Sequence, residues 1–208
     1  MRKYIVMLVL LLAIPAHAGR VVMSYSDSRG GTADNVNTSY PKLLDQARPD
    51  FIVCNKYHNG WTSQQGMNNF ATDLAACRLL GDVTDVLILF GINDFLYIGG
   101  TSEAVAVRNR SIALSAYLEG VNPWILLEPP GPIAWGGYVY MDARKWTRDN
   151  VDWLKYYNGL GPYYNLINIR DEFIATPWYS SACSSDSLHP TALACRQIIA
   201  NKISLQIP

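Results

Sequence analysis

The chain has 208 residues, 50% of them hydrophobic, and 17 basic side chains balance 17 acidic ones to give a formal net charge of zero. Neutrality without any basic tract argues against nucleic acid as a partner. Length and apolar fraction suit one domain with a single core and exclude a disordered or low-complexity chain.

Residues 1–18 read as a signal peptide. Arg2 and Lys3 make a charged start, and Tyr4 to Ile14 form an apolar stretch too short for a comfortable membrane anchor. Ala16-His17-Ala18 is a small-x-small cleavage site. Cleavage after Ala18 would leave Gly19–Pro208, secreted or periplasmic, with no stable membrane insertion. Beyond it, apolar runs alternate with helix-length segments, the pattern of a parallel sheet covered by helices. The expected strands are Arg20–Tyr25, Asp50–Asn55, Asp85–Phe90, Pro123–Leu127 and Asn165–Ile169.

The first strand feeds Tyr25-Ser26-Asp27-Ser28-Arg29-Gly30-Gly31, a small-residue turn able to hold the Ser28 hydroxyl at the carboxyl end of a sheet. The second leads into Asn59-Gly60-Trp61-Thr62, after which Met67, Phe70, Ala71, Leu74 and Cys77 recur at helical spacing. The third leads into Gly91-Ile92-Asn93-Asp94, and Thr101 or Ser102 can cap a helix running to about Glu119. After the fourth strand, Pro129–Tyr140 reads as an aromatic-rich loop. Met141–Tyr157 reads as a helix with Trp146, Trp153, Leu154 and Tyr157 on a buried stripe. The last helix is expected from about Thr191 to Leu205.

Just before that helix stands Asp186-Ser187-Leu188-His189-Pro190. A carboxylate this close to an imidazole can bond to it from a single turn, fix its tautomer and make His189 a general base. Ser28 is the nucleophile such a base would serve. A glycine N–H and an asparagine amide are uncharged donors that can be fixed in place, as an oxyanion hole requires.

In chain order these blocks supply Ser28, Gly60, Asn93 and His189. In this the sequence resembles the SGNH hydrolases, also called GDSL esterases and lipases, over nearly all of Gly19–Pro208. The resemblance implies a single-domain, three-layer α/β/α fold with a five-stranded parallel sheet in flavodoxin-like order. It implies a Ser28–His189–Asp186 triad, with an oxyanion hole made by the backbone N–H groups of Ser28 and Gly60 and the side chain of Asn93. It also implies that Asp27 is structural and not the triad acid. One departure is Ser26, where the family has glycine two residues before the nucleophile. Its added Cβ requires a different bend or a negative φ.

These features describe an exported carboxylic ester hydrolase working through an acyl-enzyme, with no metal or organic cofactor. Trp61, Trp178-Tyr179 and the rings of Pro129–Tyr140 suit sugars as well as acyl or aryl groups. They point toward O-acyl, notably acetyl, esters of carbohydrate or cell-envelope glycans. A lipase or lysophospholipase of the same fold, and a weakly active glycan-binding member, stand as alternatives, although no long apolar lid is visible. His58, two residues before Gly60, has no carboxylate in its own block and is expected to be structural or solvent-exposed. Four cysteines in an exported chain suggest disulfides and allow three connectivities. Cys183–Cys195 would bracket Asp186 and His189, and Cys54–Cys77 would join the second strand to the following helix. Their spacings do not suit zinc.

Overall fold

The computed structural model describes residues 19–31, 38–98, 100–127, 134–135, 138–139, 163–169, 172, 183, 189–190 and 192–208. The expected signal peptide, the helix over 141–157, Trp178-Tyr179, Asp186 and most of Pro129–Tyr140 lie outside the described residues.

Five strands, β1 (Arg20–Asp27), β2 (Phe51–His58), β3 (Val83–Leu89), β4 (Asn122–Leu127) and β7 (Asn165–Asn168), form one parallel sheet in the order β2-β1-β3-β4-β7. The expected loop over Pro129–Tyr140 is not wholly irregular, because β5 (Ala134–Trp135) and β6 (Tyr138–Val139) pair there as an antiparallel ribbon. The helices are α1 (Tyr40–Ala47), α2 (Ser63–Arg78), α3 (Ile92–Ile98), α4 (Ser102–Leu118) and α5 (Leu193–Gln206).

A parallel strand covered on both faces is apolar on both, as β3 is over Val86–Leu89, whereas β1 carries Ser24 and Ser26 beside Val22 on one face. Val21, Met23 and Tyr25 of β1 join Val86 and Ile88 of β3 in a core completed by Phe70, Leu74, Val105, Ile112 and Ala116 of α2 and α4. Val22, Leu87 and Leu89 face the other way, against Tyr40, Leu43 and Leu44 of α1 and Ile199, Ala200 and Ile203 of α5. Three layers result. Helix starts follow local chemistry: Thr62 Oγ1 accepts from Gln65 N–H, while the Gln65 side chain accepts from Thr62 N–H at 2.9 Å, a reciprocal cap for α2. Of the two candidate caps for α4 it is Thr101 that serves, accepting from Ala104 N–H at 3.2 Å.

Strands β1 and β2 both run further than their apolar patterns suggest. Ser26 pairs with Tyr57 on one side and Leu89 on the other, and Asp27 pairs with His58. Polar side chains at these positions hide the strand in the sequence. Inside the fold Ser26 and Asp27 are buried and His58 is half-buried, while Ser24 bonds the Tyr40 hydroxyl at 3.1 Å. The cysteines join as Cys54–Cys77, fastening β2 to α2, and Cys183–Cys195, fastening Cys183 to α5. Their Cα separations of 5.7 and 5.5 Å are ordinary for disulfides. No helix among the described residues is long and apolar enough to cross a membrane.

Candidate active site

The strand order reverses at β1, and in an open parallel sheet the crevice lies beyond the carboxyl ends at such a point. Ser28 follows the end of β1, Gly60 the end of β2, and Asn93 the end of β3. Since β1 lies between the other two, all three residues sit along one edge of the sheet.

Ser28 opens a short 3-10 turn, Ser28–Gly30, closed by Gly31 N–H to the Ser28 carbonyl at 3.2 Å. The turn is pinned from below. Asp27 accepts from Arg29 N–H at 3.0 Å and takes its guanidinium in a fork, at 2.9 and 2.6 Å. Asp27 is fully buried and Arg29 4% exposed, so losing either partner would strand a charge inside the protein. Asp27 is thereby committed to Arg29.

Of the two accommodations expected at Ser26, a different bend or a negative φ, the structure shows the second. Ser26 sits in extended strand, and room for its side chain is made at Gly30. A Cβ placed on Gly30 would stand 1.7 Å from Ser26 Oγ and 2.9 Å from its Cβ. Ser26 fills the space that a side chain at position 30 would need.

A partner for Ser28 comes from the C-terminal side. His189 Nε2 lies 2.8 Å from Ser28 Oγ, within the range for proton transfer between them. The segment carrying His189 is braced from α5. Buried Arg196 donates through Nε to the Pro190 carbonyl and through Nη1 to both the carbonyl and hydroxyl of Thr38. Ala192 N–H bonds to the Cys183 carbonyl at 3.0 Å, alongside the Cys183–Cys195 link.

Across the crevice, Gly60 occupies the left-handed region with φ +74°, where glycine is strongly favoured. A Cβ there would touch nothing within 4 Å, so the requirement is conformational and the space beside it is open. Asn93 is 2% exposed, and its Nδ2 donates to the Trp61 carbonyl at 2.9 Å. That bond uses one amide hydrogen of two. Its neighbour Asp94, fully buried, accepts from Ser63 N–H and Ser63 Oγ, each at 2.7 Å, and from Arg108 at 2.8 Å. Asp94 therefore clamps the start of α2 to α3 and α4.

His58 proves to be the last residue of β2, and it has a carboxylate partner after all. Its Nε2 lies 2.9 Å from Asp73 Oδ2 of α2, and its ring stacks on Trp61 at 3.6 Å with 7° between planes. Tyr25 lies edge-on to the same imidazole, and its hydroxyl donates to the Gly66 carbonyl at 2.6 Å. Burial, and next the nearby charge of Asp73, push the Tyr25 pKa upward. The partners of Asp73, Asp94 and Arg196 at His58, Ser63 and Thr38 belong to other elements of the fold, so no local pattern marks these three as supports. The Thr62-x-x-Gln65 pattern was the one local signal, marking where α2 begins and the Gly60 turn ends.

No protein-family model and no curated protein matches the chain. Solved structures do match. A chain classed as an SGNH hydrolase, from Slackia heliotrinireducens, superposes with a TM-score of 0.70 at 15% identity, covering 91% of this chain and 100% of that one. The chain has the SGNH hydrolase fold. A member of the lipolytic G-D-S-L family from Veillonella parvula matches with a TM-score of 0.66 at 15% identity, over 90% of this chain and 98% of its own. The acetyl xylan esterase AlAXEase matches with a TM-score of 0.67 at 13% identity, over 90% and 100%.

Proposed function

We propose that this protein is a serine esterase, and the observation that carries the reading is His189 Nε2 standing 2.8 Å from Ser28 Oγ. Ser28 Oγ attacks the ester carbonyl carbon while His189 Nε2 takes its proton. Asp186, three residues before His189 in the sequence, holds the imidazole with its own proton on Nδ1. The oxyanion forms against the N–H groups of Ser28 and Gly60 and the second amide hydrogen of Asn93, each donor contributing about 3–4 kcal/mol to the transition state. His189 returns its proton to the departing alkoxide, leaving an acyl-enzyme. Water, deprotonated by His189, then attacks the acyl carbon, releases the carboxylic acid and restores Ser28. Every group in the cycle comes from the chain itself.

The substrate class we propose is an O-acetyl or short O-acyl ester of a carbohydrate or cell-envelope glycan. Trp61 beside Gly60 and the acetyl xylan esterase among the matching structures support it. Export rests on the pattern of residues 1–18 and on two disulfides, which suit an oxidising compartment. A panel of p-nitrophenyl esters from acetyl to palmitoyl, run beside acetylated xylan, tests the reading. Fastest turnover of the acetyl ester and release of acetate from the glycan are expected. Preference for palmitoyl would make it a lipase, and no turnover of any ester would end the esterase reading.

A further inference from the structure

We propose that His58 is a positioning residue for the oxyanion amide, acting on Asn93 through Trp61. The proposal rests on the esterase reading above and names a part of the same site.

The Asn93 amide is oriented by its bond to the Trp61 carbonyl at 2.9 Å. With one hydrogen held there, the planar amide can offer the other in only one direction. Trp61 thus sets the aim of the donor. Yet Trp61 belongs to a turn that does little to hold itself. Its own closing bond, Trp61 N–H to the His58 carbonyl, is 3.3 Å long, beyond the usual range for N–H···O. Gly60 brings no side chain to anchor the turn.

Two braces compensate. On the far side, Thr62 caps α2 and Ser63 is locked to Asp94, which adjoins Asn93 in the chain. On the near side the brace is His58. Its ring covers one face of the indole in a near-parallel stack, and its Nε2 is held at 2.9 Å by Asp73. Asp73 stands on α2, the same helix whose start carries the far brace, and the Cys54–Cys77 bond ties that helix to β2. His58, Asp73 and Trp61 therefore close a loop of contacts around the turn, and Asn93 hangs from it. Meanwhile His189, not His58, is the imidazole bonded to Ser28.

Misplacing a donor by about an ångström is enough to cost tenfold to a hundredfold in rate, and the loss falls on kcat because the oxyanion exists only in the transition state. The test is a double-mutant cycle on p-nitrophenyl acetate. His58→Leu keeps bulk but neither the flat face nor the bond to Asp73. It is expected to lower kcat at least about tenfold with KM nearly unchanged, and His58→Gln, flat and still able to donate to Asp73, to recover most of that loss. In an Asn93→Ala background the same His58→Leu change should cost under about threefold, since the group it positions is gone. A loss of equal size in both backgrounds, a pure KM effect, or an unchanged kcat would overturn the proposal. If His58→Leu fails to fold, the same cycle run with Asp73→Ala, which releases the His58 ring, carries the decision: a kcat loss cancelled by Asn93→Ala supports the proposal, and an additive loss or an unchanged kcat overturns it. An inactive parent protein would instead strike the esterase reading itself, so the two failures are distinguishable.

Discussion

Ser28 and His189 share one hydrogen bond, and in the proposed cycle each depends on the other. Ser28→Ala and His189→Ala are each expected to remove nearly all esterase activity, and the double variant to be little worse than either, since such residues act as a unit. Steady-state kinetics on the folded variants checks this. Asn93→Ala should be less severe, about a 10²–10³ loss in kcat, because the backbone donors of Ser28 and Gly60 persist. Ser26 and Gly30 form a second residue-scale pair, one side chain filling the space the other lacks. Gly30→Ala alone should therefore impair activity and stability, and Ser26→Gly added to it should restore much of both. Ser26→Gly by itself should change kcat/KM by less than about tenfold, or ~1.4 kcal/mol. If the double variant were worse than Gly30→Ala, the pairing would be refuted.

At the scale of elements, α5 braces the segment that carries His189, and α1 packs against the strand that leads to Ser28. Arg196 of α5 is buried and reaches the carbonyl next to His189 as well as Thr38. Arg196→Ala should cost about 1.5–3 kcal/mol in a urea titration and lower kcat more than it raises KM. The Cys183–Cys195 link braces the same segment, and a short-loop disulfide contributes about 3 kcal/mol. Non-reducing peptide mapping should recover that crosslinked peptide and the Cys54–Cys77 one. Finding all four thiols free after oxidative export would count against both links. On α1, burial pushes the Tyr40 hydroxyl up to about 12, against about 10 in an unfolded chain. The fold favours neutral Tyr40, so its contribution is complete below about pH 10. It falls as pH climbs toward 12, because the unfolded chain ionises first. Tyr40→Phe should lose about 1 kcal/mol at neutral pH, through the bond to Ser24, yet decline less steeply in alkali. Denaturant titrations at several alkaline pH values would show the crossing trends.

Across the whole molecule, what could be read from sequence was set by how local its cause is. Strand centres were legible because two-sided burial demands continuous apolar runs such as Val86 to Leu89. Strand ends were not, because Ser26, Asp27 and His58 are polar residues held in strand by neighbours distant in the chain. The eight residues of α1 also escaped notice, having Pro41 in the first turn and no side-chain cap. Candidate site residues were legible because serine, glycine and asparagine after strand ends, and a histidine three residues after Asp186, carry recognisable chemistry. Their supports, Asp73 on His58, Asp94 on Ser63 and Arg196 on Thr38, exist only once the fold brings distant segments together.

The central claim is that Ser28 is a nucleophile activated by His189, and covalent labelling addresses it without knowledge of the natural substrate. The protein would be incubated with a fluorophosphonate and the modified peptide located by mass spectrometry. A single adduct on Ser28 is expected, absent from Ser28→Ala and formed far more slowly by His189→Ala. Failure of the folded protein to react, or labelling that persists undiminished in Ser28→Ala, would contradict the account.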